Sequence, residues 1–205
     1  MRRNIGILDY GVGNIGSIAS MLNRAGFSST IISEPQTLMG VEKLIIPGVG
    51  SFDHGMQQLK SRGIINELQS RCRSNTLDVL GICLGMQLLF SGSDEGKCEG
   101  LNLIPGKVKL IEPTVSSIKV PHMGWNYIDL QHKSLLFPEL EKQHKFYFVH
   151  SYHCIPSDLS VVTSTVNHGG KLVASVSYQR IHGVQFHPEK SHKFGMTVLT
   201  NFAAS

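Results

Sequence analysis

Short apolar runs alternate with helix-spaced apolar stripes through the first half of the chain. Residues 4–9 carry Ile5, Ile7 and Leu8 and predict a strand that ends at Asp9. Over 14–25, Ile15, Ile18, Leu22 and Ala25 recur at helical spacing, and Gly26 offers a C-terminal stop. Residues 30–32 and 43–46 read as strands. Pro47-Gly48-Val49-Gly50-Ser51 then breaks the chain, and 56–73 is mostly helical with Gly63 as an interruption. A strand over 79–82 and a helix over 84–90 follow. This alternation predicts a parallel sheet with helices on both faces.

The second half changes character. Residues 103–111 and 145–149 look extended, and 161–166, 171–178 and 181–186 form three strand-like runs. Asn167-His168-Gly169-Gly170 supplies a hairpin turn between the first two. A helix over 194–202 closes the pattern. The fold class is therefore α/β, a mostly parallel central sheet with flanking helices and an antiparallel extension in the second half. Without repeat, low-complexity tract or linker, 1–205 reads as one domain.

Composition narrows the function classes. The chain has 205 residues, enough for a core that needs no staples. Net charge is +4, but Lys and Arg are scattered, which argues against a nucleic-acid footprint and leaves an acidic partner or phosphorylated ligand open. No apolar run approaches the roughly 20 residues of a membrane helix. The basic start, Met1-Arg2-Arg3, precedes an apolar run too short for a signal peptide. Four cysteines, at 72, 83, 98 and 154, lack C-x-x-C spacing and read as reduced thiols of a cytoplasmic protein.

Three stretches carry candidate chemistry. Gly81-Ile82-Cys83-Leu84-Gly85 has the G-x-C-x-G spacing of a nucleophile elbow. Cys83 falls at a helix N-terminus, where dipole and unpaired N–H groups favour thiolate, and the Leu84 N–H is placed to bind an oxyanion. The alternative is a buried structural cysteine. A cysteine nucleophile needs a base and the base an orienting group. Among ten histidines, His187 stands out, because it ends the apolar run 181–186 and precedes Pro188-Glu189. Pro188 biases His187 toward extended geometry, where positions i and i+2 share a side, so Glu189 lies beside the imidazole. The alternative is a solvated strand end. His122 and His150 lie in distinctive contexts; most others, His144 included, sit among polar residues and read as solvated. Finally, Gly11-Val12-Gly13-Asn14-Ile15-Gly16 matches a dinucleotide fingerprint, with Glu34 ending the second strand. The other motifs concern acyl chemistry, so this one is better read as a glycine-rich turn.

Gly81 to Gln87, Pro47 to Phe52 and Val184 to Ser191 together resemble the class I, triad-type glutamine amidotransferases. Leu8 to Asn14, Pro121 to Asn126 and Tyr147 to Tyr152 are similar to the glutaminase-subunit branch of imidazole glycerol phosphate synthase. The resemblance implies Cys83 as nucleophile, His187 as proton shuttle and Glu189 as its orienting group. It places the oxyanion hole at the Leu84 N–H and the main chain around Val49 and Gly50, and glutamine recognition at Gln87, Glu95, Ser151 and Tyr152. It implies neither a metal nor an organic cofactor. The implied partner is a (β/α)₈-barrel synthase (cyclase) subunit in a heterodimer, with Tyr10, residues 121–125 and Tyr152 as interface candidates. Paralogous amidotransferases that supply ammonia for sugar amidation in surface-polysaccharide biosynthesis share the same site. Another thiol hydrolase, or a binding module without activity, is the remaining alternative.

Overall fold

Strands buried along their whole length need cover on both faces, and the first half supplies it with helices between them. The computed structural model describes residues 4–114, 117–139 and 143–205; the basic start at 1–3 lies outside them. The chain runs β1 (Ile5–Leu8), α1 (Ile15–Arg24), β2 (Ser29–Ile32), α2 (Pro35–Leu38), β3 (Lys43–Ile46), α3 (Phe52–Ser61), α4 (Ile65–Arg73), β4 (Asp78–Ile82) and α5 (Leu84–Leu88). β5 (Gly106–Leu110), β6 (His122–Leu130), β7 (His144–His150), β8 (Tyr152–Pro156), β9 (Val162–Asn167), β10 (Lys171–Tyr178), β11 (Ile181–Val184) and α6 (His192–Ala204) follow.

Among the described residues the main sheet has nine strands in the order β2-β1-β3-β4-β11-β10-β9-β6-β7. It is parallel from β2 through β11 and antiparallel from β11 to β7. β5 and β8 form a separate antiparallel pair. The expected α/β class with an antiparallel extension is the one observed. One detail differs: β11, read as part of the antiparallel meander, also pairs in parallel with β4, with Gly183 opposite Gly81 and Val184 opposite Ile82. That pairing sets the residues after both strands side by side at the C-terminal edge of the sheet.

The two-residue alternation of side chains sorts the core into two layers. Leu8, Leu44, Ile46 and Val79 pack on one face with Phe52, Leu84 and Leu88. Ile5, Ile7, Ile45, Leu80 and Ile82 face the other way, toward Ile18, Leu22, Phe186 and Phe202. Lys43 is fully buried at the opposite edge, where its Nζ donates to Phe202 O at 2.7 Å and anchors α6.

Boundaries and two strands depart from the pattern-based expectation. The helical stretch begins at Phe52, because Asp53 accepts from the Lys97 and Cys98 N–H groups and fixes the first turn. It breaks at Gly63, φ +66°, as expected. β6 and β8 escape the apolar pattern. Along β6 the large apolar residues Met123, Trp125 and Tyr127 face outward while Gly124 and Asn126 face in, the reverse of an ordinary half-buried strand. His144 proves buried, packed against Phe137, because β7 alternates inward at that position whatever its polar flanks.

The closeness of the layers around α5 gives a test. A Cβ on Gly85 meets Ile46 O at 1.8 Å, whereas Gly16 in α1 has nothing within 4 Å. Gly85→Ala is expected to cost about 3 kcal/mol or prevent folding, and Gly16→Ala to gain roughly 0.5–1 kcal/mol, both read from urea unfolding. A Gly85→Ala protein as stable as the wild type contradicts this packing.

Candidate active site

Gly81 and Gly85 let the chain turn sharply between β4 and α5. A Cβ on Gly81 meets Gly85 O at 2.6 Å, and one on Gly48 meets Gly85 N at 2.8 Å. Three main-chain segments thus touch where side chains ordinarily intervene. Cys83 sits at the apex with φ +53° and ψ −109°, a strained conformation for a residue bearing a Cβ. Its N–H donates to Val184 O at 2.8 Å, which ties the elbow to β11.

His187 is placed by the end of that same strand. Its N–H donates to Tyr147 O at 2.9 Å, and its carbonyl accepts from Ser191 Oγ at 2.6 Å. Nδ1 pairs with Glu189 Oε1 at 2.8 Å, with both side chains almost fully buried. The contact arises because Pro188–Lys190 forms a single 3-10 turn, not because the segment stays extended. Nε2 is buried and is the ring nitrogen left for Cys83. Burial pushes the His187 pKa down, but the Cys83 sulfur and the Glu189 carboxylate outweigh it and raise it to about 10.

An open cleft of about 340 Å³ covers this edge. Val49, Gly50, Cys83, Leu84, Gln87, Glu95, Ser151, Tyr152 and His187 all line it, joined by Pro121, Val149 and His150. Glu189 stands behind His187, outside the lining. Val49 is half exposed, and Gly50 has φ +107° with open space around it. Glu95 is held at the mouth, where its Oε2 accepts from Phe52 N at 2.8 Å. The Lys97 and Cys98 N–H groups that hold its loop also keep the Asp53 carboxyl below the usual range. The Ser151 and Tyr152 carbonyls are engaged inside the fold, by Ile111 N–H and by Gln87 and His150 respectively.

Three placements differ from, or add to, the sequence reading. Tyr10, an interface candidate, is fully buried and donates to Pro47 O at 2.6 Å, under the glycine-rich loop after β3. The turn at Gly11 and Gly13 takes positive φ, and a Cβ on Gly13 meets Pro47 Cβ at 2.9 Å, so Gly13 serves close packing against that loop. Gln185 is not singled out by the sequence pattern. It is fully buried, and its Nε2 donates to Cys83 Sγ at 3.7 Å. One signal points to it: an amide between the apolar Val184 and Phe186, directly before His187.

The raised His187 pKa carries a pH signature. Its folded value of about 10 exceeds an unfolded value near 6.5, so the stability it contributes is complete below about pH 6.5 and is lost as pH rises through about 10. Cys83→Ala removes one of the two groups that raise it. An NMR titration of the His187 ring is expected to show a lower midpoint in that variant; an unchanged midpoint contradicts the Cys83–His187 interaction.

The family model described as "Glutamine amidotransferase class-I" matches residues 6–205. Among curated relatives, "Imidazole glycerol phosphate synthase subunit HisH 2" of Methanococcus maripaludis is 44% identical over 198 residues, covering 97% of this chain and 98% of that protein. "Imidazole glycerol phosphate synthase subunit HisH" of Leptospira borgpetersenii is 42% identical over 202 residues, covering 98% and 99%. The HisH 2 protein of Pseudomonas aeruginosa is 41% identical over 196 residues, covering 96% of each chain. Among solved structures, one described as "Crystal structure of glutamine amidotransferase" has a TM-score of 0.77 at 17% identity, covering 98% of this chain and 99% of its own. The structure of PurLQS from Thermotoga maritima gives 0.75 at 18%, with 98% of each covered. With a family model matching nearly its whole length, the chain belongs to the class-I glutamine amidotransferase family.

Proposed function

We propose that this chain is the glutaminase subunit of a two-subunit imidazole glycerol phosphate synthase. In this reading it hydrolyses glutamine to glutamate and passes ammonia to a (β/α)₈-barrel partner in histidine biosynthesis. The observation that carries it is the meeting of Cys83, His187 and Glu189 at the ends of two adjacent parallel strands, inside one cleft. The curated relatives' names supply the synthase, imidazole glycerol phosphate synthase.

The chemistry follows from the placement. The Cys83 thiolate attacks the side-chain carbonyl carbon of glutamine, and the carbonyl oxygen takes the negative charge. The Leu84 N–H at the start of α5 and a main-chain N–H from Val49 or Gly50 stabilise that oxyanion. The freedom around Gly50 leaves room for its peptide to reorient. His187 gives its proton to the departing nitrogen, ammonia leaves, and a γ-glutamyl thioester remains. His187 then takes a proton from water, which attacks the thioester; glutamate is released and Cys83 expelled. Glu189 holds the imidazole in place and favours its charged form. The free oxygen of Glu95 accepts the substrate α-ammonium. The cleft-lining segment at Ser151 and Tyr152, whose carbonyls are occupied, offers N–H groups and side chains to the carboxylate.

The outward residues of β6 suit a docking face. Met123, Trp125 and Tyr127 are exposed on one strand, and Trp125 stacks on His192 with rings 5.3 Å apart. The strand begins next to Pro121, which lines the cleft, so a partner seated there would abut the site. A second reading keeps the same glutaminase chemistry but feeds a sugar-amidating partner. The stretches Val120 to Trp125 and Ser191 to Met196 resemble the paralogous amidotransferases of surface-polysaccharide biosynthesis, which is the observation favouring it.

Glutamate release decides between them. The purified chain is expected to release little alone and at least tenfold more with a barrel cyclase subunit and its nucleotide ligand, with Cys83→Ala inactive in both. Trp125→Ala is expected to weaken the stimulation. Cys83-dependent release that ignores the barrel removes the histidine-pathway assignment and favours the second partner. Absence of release in every condition contradicts the triad.

A further inference from the structure

Gln185 belongs neither to the triad nor to the oxyanion hole, yet its amide reaches the reacting atom. Which end of that amide faces the sulfur follows from one main-chain carbonyl. Tyr152 O can only accept. It takes a hydrogen bond from Gln87 Nε2 at 3.0 Å and another from His150 Nδ1 at 2.8 Å. Were the Gln87 amide reversed, its oxygen would face another oxygen, so Nε2 must lie toward Tyr152. The second hydrogen of that NH₂ group points to Gln185 Oε1 at 3.2 Å. Gln185 therefore presents its own NH₂ group to Cys83 Sγ at 3.7 Å.

The histidines beyond Tyr152 obey the same polarity. With Nδ1 of His150 donating to Tyr152 O, a neutral His150 has Nε2 free to accept, and His122 Nδ1 donates to it at 3.0 Å. His122 Nε2 then accepts from Asn126 Nδ2 at 3.4 Å. Burial holds both rings neutral, lowering His122 to about 4 and His150 to about 3. Every bond in the series has one donor and one acceptor, so nothing in it competes with the orientation at the sulfur.

We propose that Gln185 is a further catalytic residue, which donates an N–H to the Cys83 sulfur and stabilises it as thiolate, with its orientation imposed through Gln87 by the Tyr152 carbonyl. The proposal rests on the glutaminase reading for its reaction. An N–H donor favours the anion over the thiol, which raises the fraction of sulfur able to attack and assists its departure when the thioester is hydrolysed. Among the ionisable groups that interact with this sulfur, Tyr10 and Cys154 have their pKa values raised by burial and by the sulfur's own charge. His187 is the cation. Gln185 supplies a neutral dipole where a second cation would compete with His187 for its charge.

The test is the pH dependence of Cys83 alkylation by iodoacetamide, located by mass spectrometry of the digested protein, with Cys83→Ala identifying the modified site. Gln185→Met keeps the volume and removes the donor. Its alkylation midpoint is expected to rise by about one pH unit, with kcat for glutamine falling about tenfold and KM within about twofold. Gln185→Glu, nearly isosteric, guards against a variant that merely misfolds, and its added charge is expected to move the midpoint higher still. Unmoved midpoints in the folded variants overturn the proposal, even if kcat falls, because packing alone then explains the loss. Alkylation needs no glutamine hydrolysis, so a wild type that alkylates as expected but releases no glutamate counts against the glutaminase reading alone.

Discussion

Around the elbow at Cys83 the main chain packs against itself with no side chain between. The Gly85 Cα lies against Ile46 O, Gly81 against Gly85 O, and Gly48 against Gly85 N. A methyl group at any of these points pushes apart the ends of β3 and β4 and the first turn of α5. Helical or extended geometry cannot place Cys83 where it stands. Its positive φ is held because the glycines before and after it admit close neighbours and because its N–H is fastened to Val184. The site's geometry thus begins as a steric constraint among glycines, and the polar chemistry is arranged around it.

The parallel pairing of β4 with β11 brings the candidate catalytic residues to one place. In register, Ile82 lies opposite Val184. The chain beyond Ile82 supplies the sulfur, and the chain beyond Val184 supplies first Gln185 and then His187. Ser191 locks the second segment by accepting from Tyr147 N and donating to His187 O. This follows the general rule that open α/β sheets carry their sites beyond the carboxyl ends of the strands. The antiparallel strands bring a different contribution: β7 and β8 frame the cleft wall from Val149 to Tyr152, and β6 presents its large side chains to solvent beside it.

Much of this was legible from residue patterns. The strands buried on both faces announced themselves as short apolar runs, and the elbow by two glycines around a cysteine. Gly63 marked a true helix break. What escaped shares a physical cause: the pattern records polarity, not direction. β6 alternates like a strand, but Met123, Trp125 and Tyr127 lie on its outward side while Ile128 lies on the inward one. His144 has polar neighbours in sequence and aromatic ones in space. Tyr10 looked available for a partner and instead supports Pro47 from beneath. An extended chain would set Glu189 beside His187, but a tight turn is what brings them together. Gln185 acquires its meaning only through Gln87 and Tyr152, which are remote in sequence.

The central claim is that Cys83 is the nucleophile of a site shaped for glutamine. Its most direct measurement is covalent labelling with a diazoketone analogue of glutamine, followed by peptide mass mapping. One equivalent of label is expected, confined to Cys83, slowed by added glutamine and lost when His187 is replaced by Asn. Label on Cys98 or elsewhere, or label on Cys83 that glutamine does not slow, would contradict it.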